Sequence, residues 1–221
     1  MPSYEGVTVA GAIALLSAIT WVTVLIPILY SREGQMTGVV NPPTLVLEEF
    51  LKLPETKPAS EFVDGRIEQK PMPQGKHARL QLKFCGAVNA VAEAPKIAMA
   101  LPELRCTFGE RSIVPDATVF VWGQIPFDAA GEIGNAFTQP PDWTVEILSP
   151  DQKTTKAIRN ILHCLKYGSQ LGWLIDPDER IILAFRPDQL PTELIEHDIL
   201  PVLPNLELTL TVNDVFGWLK G

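Results

Sequence analysis

Apolar residues in "TLVLEEFLKL" (44–53) recur at helical spacing with acids early in the run, and predict a helix that stops at Pro54. In "SEFVDGRIEQKPMP" the pattern alternates about Asp64-Gly65, a tight-turn pair, and predicts a β-hairpin. From Lys76 to Ala92 the stripe Leu80, Phe84, Val88 and Val91 predicts an amphipathic helix. Short strands are expected near 96–101, 104–108, 113–122 and 143–148. A second helix, about 152–167, should turn Ile158, Ile161, Leu162 and Leu165 inward and end at Gly168. "LGWLIDP" and "RIILAFRP" predict two strands joined at Pro177-Asp178. "LELTLTVNDVFGWLKG" predicts a last strand and a short helix capped by Asn213 or Thr211. This order of elements predicts an α/β class of fold, an α+β or mixed sheet flanked by helices.

Two of these strands carry an acid where the pattern asks for an apolar residue: Asp116 in "RSIVPDATVF" and Glu146 in "WTVEIL". A buried, unpaired carboxylate costs several kcal/mol, so such a group pairs with a cation or binds a metal. Thr144, Glu146 and Leu148 share one strand face, and Asp116, after Pro115, faces the loop side. Two carboxylates on neighbouring strand ends can share a hard divalent cation, which activates water and stabilises charge on a phosphoryl oxygen. The plainer reading of Asp116 is a turn cap after proline.

Residues 7–30, "VTVAGAIALLSAITWVTVLIPILY", stand apart from this pattern and carry no charge. At ~1.5 Å rise per residue a helix there would reach about 36 Å, enough for a bilayer core of ~30 Å. Two alternatives stay open: a membrane anchor with Tyr30 at the interface, or an over-extended start, since Met36 directly precedes an ordinary domain beginning. A secretory signal fits poorly, because no Lys or Arg precedes the apolar run. If the anchor is real, Arg32 weakly favours a cytoplasmic C-terminal domain. The expected organisation is an apolar segment over 1–36 and one globular domain over 37–221.

With 46% hydrophobic and 20% charged residues among 221, the chain suits one packed domain plus a further segment rather than a disordered polymer. Its net charge of −8 argues against broad, non-specific nucleic-acid affinity but leaves room for a local basic cleft. Lys70, Lys76, Arg79 and Lys83 lie around the first long helix, and the last three share a face that could meet phosphates or simply be solvated. Cys85, Cys106 and Cys164 show no CxxC spacing and are expected as buried thiols of a reduced, cytoplasmic protein.

Five blocks, "LEEFLKLPE", "FVDGRIEQKPMPQGKH", "RSIVPDATVF", "WTVEILSPDQKTTK" and "GWLIDPDER", resemble in this order the Uma-type restriction endonuclease family of bacteria, which is PD-(D/E)XK nuclease-like. The resemblance covers about residues 44–220. It implies a restriction-endonuclease-like core, DNA endonuclease activity dependent on Mg2+ (or Mn2+), and commonly a homodimer. It matches Asp116 and Glu146 to the metal-binding acids, and His77 to a histidine at the start of the long helix. Glu61 matches the acid ahead of the hairpin turn, as a further metal ligand or to orient the attacking water. The lysine that the signature carries two residues after the Glu is Leu148 here. Relatives draw that cation from the following helix, where Lys153, Lys156 and Lys166 are candidates and Lys156 is favoured, while Gln152 could orient a water. Leu148 and the acidic pI near 4.9 sustain an alternative, a catalytically inactive nuclease fold acting as a nucleic-acid-binding or interaction module. His163 and Trp173 are expected as packed residues, Asp176 as a turn residue, and His197 without a specific role.

Overall fold

The structure, a computed structural model, describes residues 45–150 and 152–220. The apolar segment at 7–30 and the two candidate starts lie outside them. Among the described residues no helix is long and apolar enough to cross a membrane.

The hairpin forms as Asp64-Gly65 requires. Strands β1 (Ser60–Val63) and β2 (Arg66–Gln69) are joined by two residues at φ 51° and 76°, the left-handed backbone of a type I′ turn. With β4 (Cys106–Phe108) and β5 (Arg111–Ile113) they make a four-stranded sheet in the order β2-β1-β5-β4. The larger sheet takes β3 (Ala98–Pro102), β6 (Ala117–Val121), β7 (Trp143–Ile147), β8 (Leu171–Asp176), β9 (Ile181–Phe185) and β10 (Thr192–Leu194). Its order is β10-β9-β8-β7-β6-β3, with β7 and β8 parallel, which requires the crossover helix that links them.

Helices α1 (Leu47–Phe50), α2 (Gly75–Ala92), α3 (Thr154–Lys166) and α4 (Val212–Gly217) cover the strands. Leu80, Phe84 and Val88 of α2 bury against Trp143, Val145 and Trp173. Phe84 meets Trp143 edge-on at 4.9 Å, and Trp173 is a core residue as expected. Ala157 and Ile161 of α3 pack on Leu174, which, next to Trp173 in the strand, faces the opposite side of the sheet. The approach is close at Gly172, where a Cβ would stand 2.4 Å from Cγ2 of Ile161. Cys85, Cys106 and Cys164 are free and buried.

Three expectations need correction. The strand predicted over 113–122 is two strands in different sheets, parted at Val114-Pro115-Asp116. The last strand does not form: Leu206 and Leu210 bury in the core, but the neighbouring segment contains Pro201 and Pro204, which lack the N–H groups a ladder needs. Only an isolated bridge, Ile199 with Thr211, remains. In α3 the buried residues include Ala157, Asn160, Ile161 and Cys164, whereas Leu162 is 51% exposed.

Candidate active site

The chain places acids where strands part. Ala117 pairs with Val145 across β6 and β7. Two residues further along β7, past the end of β6, the N–H of Ile147 donates instead to Oδ2 of Asp116 at 2.7 Å. Glu61, in β1, accepts the N–H of Val114 on Oε1 at 2.9 Å, just beyond the end of β5. Both carboxylates thus satisfy buried backbone donors that the ladders no longer reach. Glu146, in the middle of the large sheet, faces α3. There Asn160 Nδ2 donates to Oε1 of Glu146 at 3.1 Å and to Oε1 of Glu61 at 3.2 Å. Each of the three acids is only 1% exposed.

Two lysines and a histidine surround them. Lys70, directly after β2, places Nζ 2.5 Å from Oδ1 of Asp116 and donates to the carbonyl of Val114 at 2.6 Å. His77, in the first turn of α2, has Nε2 3.0 Å from Oδ2 of Asp116. Lys156 Nζ lies 3.0 Å from Oε2 of Glu61 and 3.5 Å from Oε2 of Glu68. The contact with Glu61 is an ion pair outside hydrogen-bonding geometry, so Oε2 of Glu61 has no hydrogen-bond partner. Glu146 makes no ion pair among the described residues; Asn160 is its side-chain partner.

The proton distribution follows. Burial, then the Asp116 and Glu61 carboxylates, push Glu146 well above its ordinary 4.5, and Lys70 and Asn160 only partly offset them. Burial also works against the charge on Asp116, but Lys70 and His77 outweigh it and hold that carboxyl down at about 2. Lys70 keeps its ammonium despite burial, because Asp116, Glu146 and Glu61 all favour it.

This donor set fits a hard divalent cation: three buried carboxyl groups and, among the described residues, one oxygen without a hydrogen bond and one acid without an ion pair. As the side chains stand, no group of three or more His, Cys, Asp or Glu among the described residues is placed to hold a metal ion. Asp116 is turned to Lys70 and His77, and Glu61 to Lys156. Of the three acids, Asp116 lines a mouth of about 40 Å³, together with Lys70, His77, Glu103, Ser149 and Gln152. A larger cleft of about 520 Å³, lined by Asp64, Arg111, His163, Lys166 and Tyr167 among others, contains none of the three acids.

Glu61, Asp116, Glu146 and Lys156 therefore lie together, and Gln152 stands at the mouth. Lys153 and Lys166 do not join them: Lys153 is exposed at the start of α3, and Lys166 lies against Tyr167 at its end. His163 is packed, stacking on Phe108 at 4.8 Å, and His197 is exposed. Asp176 accepts the N–H groups of Asp178 and Glu179, as a turn residue does. Leu148 packs with Ala157 and Ile161 under α3. Sequence reasoning missed Asn160, whose position one helical turn after Lys156 was the available signal. It placed Lys70 only in a basic neighbourhood, since nothing local ties that residue to Asp116.

Among proteins of known sequence, the family model Uma2, described as "Putative restriction endonuclease", matches residues 47–213. A solved structure from Anabaena variabilis, described as a "putative nuclease belonging to DUF820", is 53% identical. It matches with a TM-score of 0.78 over 79% of this chain and 99% of that one. No curated protein matches. The expected restriction-endonuclease-like fold is the one found.

Proposed function

The chain belongs to the Uma2 restriction endonuclease family, and from that premise we propose that it is an endonuclease that hydrolyses DNA phosphodiester bonds with Mg2+ or Mn2+. One observation carries the reading. Among the described residues Glu146 is a buried carboxyl with no ion-pair partner, set beside Asp116 and Glu61 in a nuclease fold. A structural acid at that place would be matched by a base.

In this reading Asp116 and Glu146 hold the cation and Glu61 assists. The cation would supply Lewis-acid charge to the phosphodiester and make water a better nucleophile. Glu61 Oε1 is fixed by Val114 and Asn160, which leaves Oε2 to orient the attacking water. As the water oxygen bonds to phosphorus its proton passes to Glu61 Oε2, the opposite P–O bond breaks, and the electron pair leaves with the departing oxygen, which takes a proton from solvent. Lys156, beside Glu61, contributes positive charge to the crowded oxygens of the transition state. Asn160 positions two of the acids. A homodimer and a cytoplasmic setting, where free thiols persist, belong to the same proposal.

Nicking of supercoiled plasmid by the full chain tests it, with Mg2+, Mn2+ or EDTA, beside Asp116→Ala and Glu146→Ala. Cleavage is expected from the wild type with metal, and from neither variant. If no DNA or RNA is cut and no divalent ion raises the melting temperature, the catalytic reading fails. The second reading, an inactive binding module, then takes its place; Leu148 and the lysine-paired carboxylates favour it.

A further inference from the structure

The strand position that gives the nuclease signature its lysine holds Leu148, which is committed to the apolar contact under α3. The deepest cation in the cluster comes from elsewhere. Lys70 sits at the foot of the hairpin, and its side chain, 10% exposed, reaches the first acid at 2.5 Å. Its ammonium also donates to the carbonyl of Val114, in the same break that delivers Asp116. Lys70 lines the narrow mouth, and with about 40 Å³ free the opening has room for little more than one water. Lys156, in contrast, sits on the Glu61 side and is shared with Glu68 at the hairpin surface.

We propose that Lys70 supplies the cation missing at Leu148, and that in the metal-free protein its ammonium holds the place on Asp116 that a divalent ion would take. This inference rests on the metal-nuclease reading above. Lys70 and a divalent ion would compete for the same carboxylate. An oxygen 2.5 Å from an ammonium cannot also serve a metal ion at full strength, because the two positive centres repel at close range. Released from Asp116, the same ammonium would stand at the rim of the mouth, within reach of a phosphate held against the opening.

The test uses the full chain and two readouts, Mn2+ affinity by calorimetry without DNA and single-turnover plasmid cleavage. Lys70→Met should bind Mn2+ about tenfold more tightly and cleave at least a hundredfold more slowly. A residue needed only for structure would move both in the same direction. Lys70→Arg keeps a cation on Asp116 with a fork suited to carboxylate; it should fold even where the Met variant does not, and should weaken Mn2+ binding. If wild type binds Mn2+ and either folded variant binds it with wild-type affinity, or Lys70→Met cleaves at the wild-type rate, Lys70 does not have this role and the nuclease reading stands. If wild type itself neither binds Mn2+ nor cleaves, both fall together.

Discussion

Replacing Glu146 by Gln removes one titration while keeping the side-chain volume and an acceptor for Asn160. In the metal-free protein, burial and the neighbouring Asp116 and Glu61 carboxylates hold the proton on Glu146 to a pH well above 4.5, where the unfolded chain releases it. From 4.5 upward the folded state therefore binds more protons than the unfolded one. Wild-type stability should fall as pH rises, by up to ~1.4 kcal/mol per pH unit, until the folded carboxyl itself ionises. Asp116 runs the other way: its folded value is lowered to about 2, so its contribution is complete above 3.8 and is lost only toward pH 2. Lys70, raised in the folded state, contributes fully below 10.5. Neither changes between pH 5 and 6. Over that interval the stability of Glu146→Gln minus wild type should grow, with ~1.4 kcal/mol per pH unit as the ceiling for a single proton. Urea unfolding of both proteins in EDTA at pH 5, 6 and 7 measures it. Parallel pH profiles would refute the reasoning, because they would mean that Glu146 carries no perturbed proton. Mg2+ should reverse the trend for wild type, since it favours the ionised carboxyl, and leave the variant unmoved.

Asn160→Ala removes the side-chain donor shared by Glu61 and Glu146, and should cost about 2 kcal/mol in urea unfolding; an unchanged midpoint would contradict the bridging role. Gly172→Ala drives a Cβ to within 2.4 Å of Ile161 and should cost roughly 1–3 kcal/mol by overpacking, part of it recovered in the double variant with Ile161→Ala. Thr211 Oγ1 accepts the N–H of Asp214 at the start of α4, so Thr211→Ala should lower stability by about 1 kcal/mol. Burial pushes the Cys106 and Cys164 thiols up, the latter to about 12. Both should resist maleimide at pH 7 until the protein is unfolded, and prompt labelling of the native protein would show that these sites open readily.

What the sequence determined by itself is local and periodic. The hairpin about Asp64-Gly65, the stripe of α2, the apolar strands and the cap at Thr211 are legible because each depends on residues a few positions apart. Asp116 and Glu146 are visible for the same reason, as charges interrupting apolar runs, and family resemblance added Glu61 and Lys156. Tertiary structure decided the rest. The break at Val114-Pro115-Asp116 reads as one strand in sequence, and only the existence of two sheets parts it. "LELTLTV" alternates like a strand, yet a strand needs a partner with free N–H groups, and the adjacent prolines provide none. Lys70 and Asp116 are 46 residues apart in the chain and 2.5 Å apart in space. Which cation meets which buried acid is a long-range electrostatic matter: it depends on how two sheets and a helix converge, and neither periodicity nor spacing along the chain encodes that meeting.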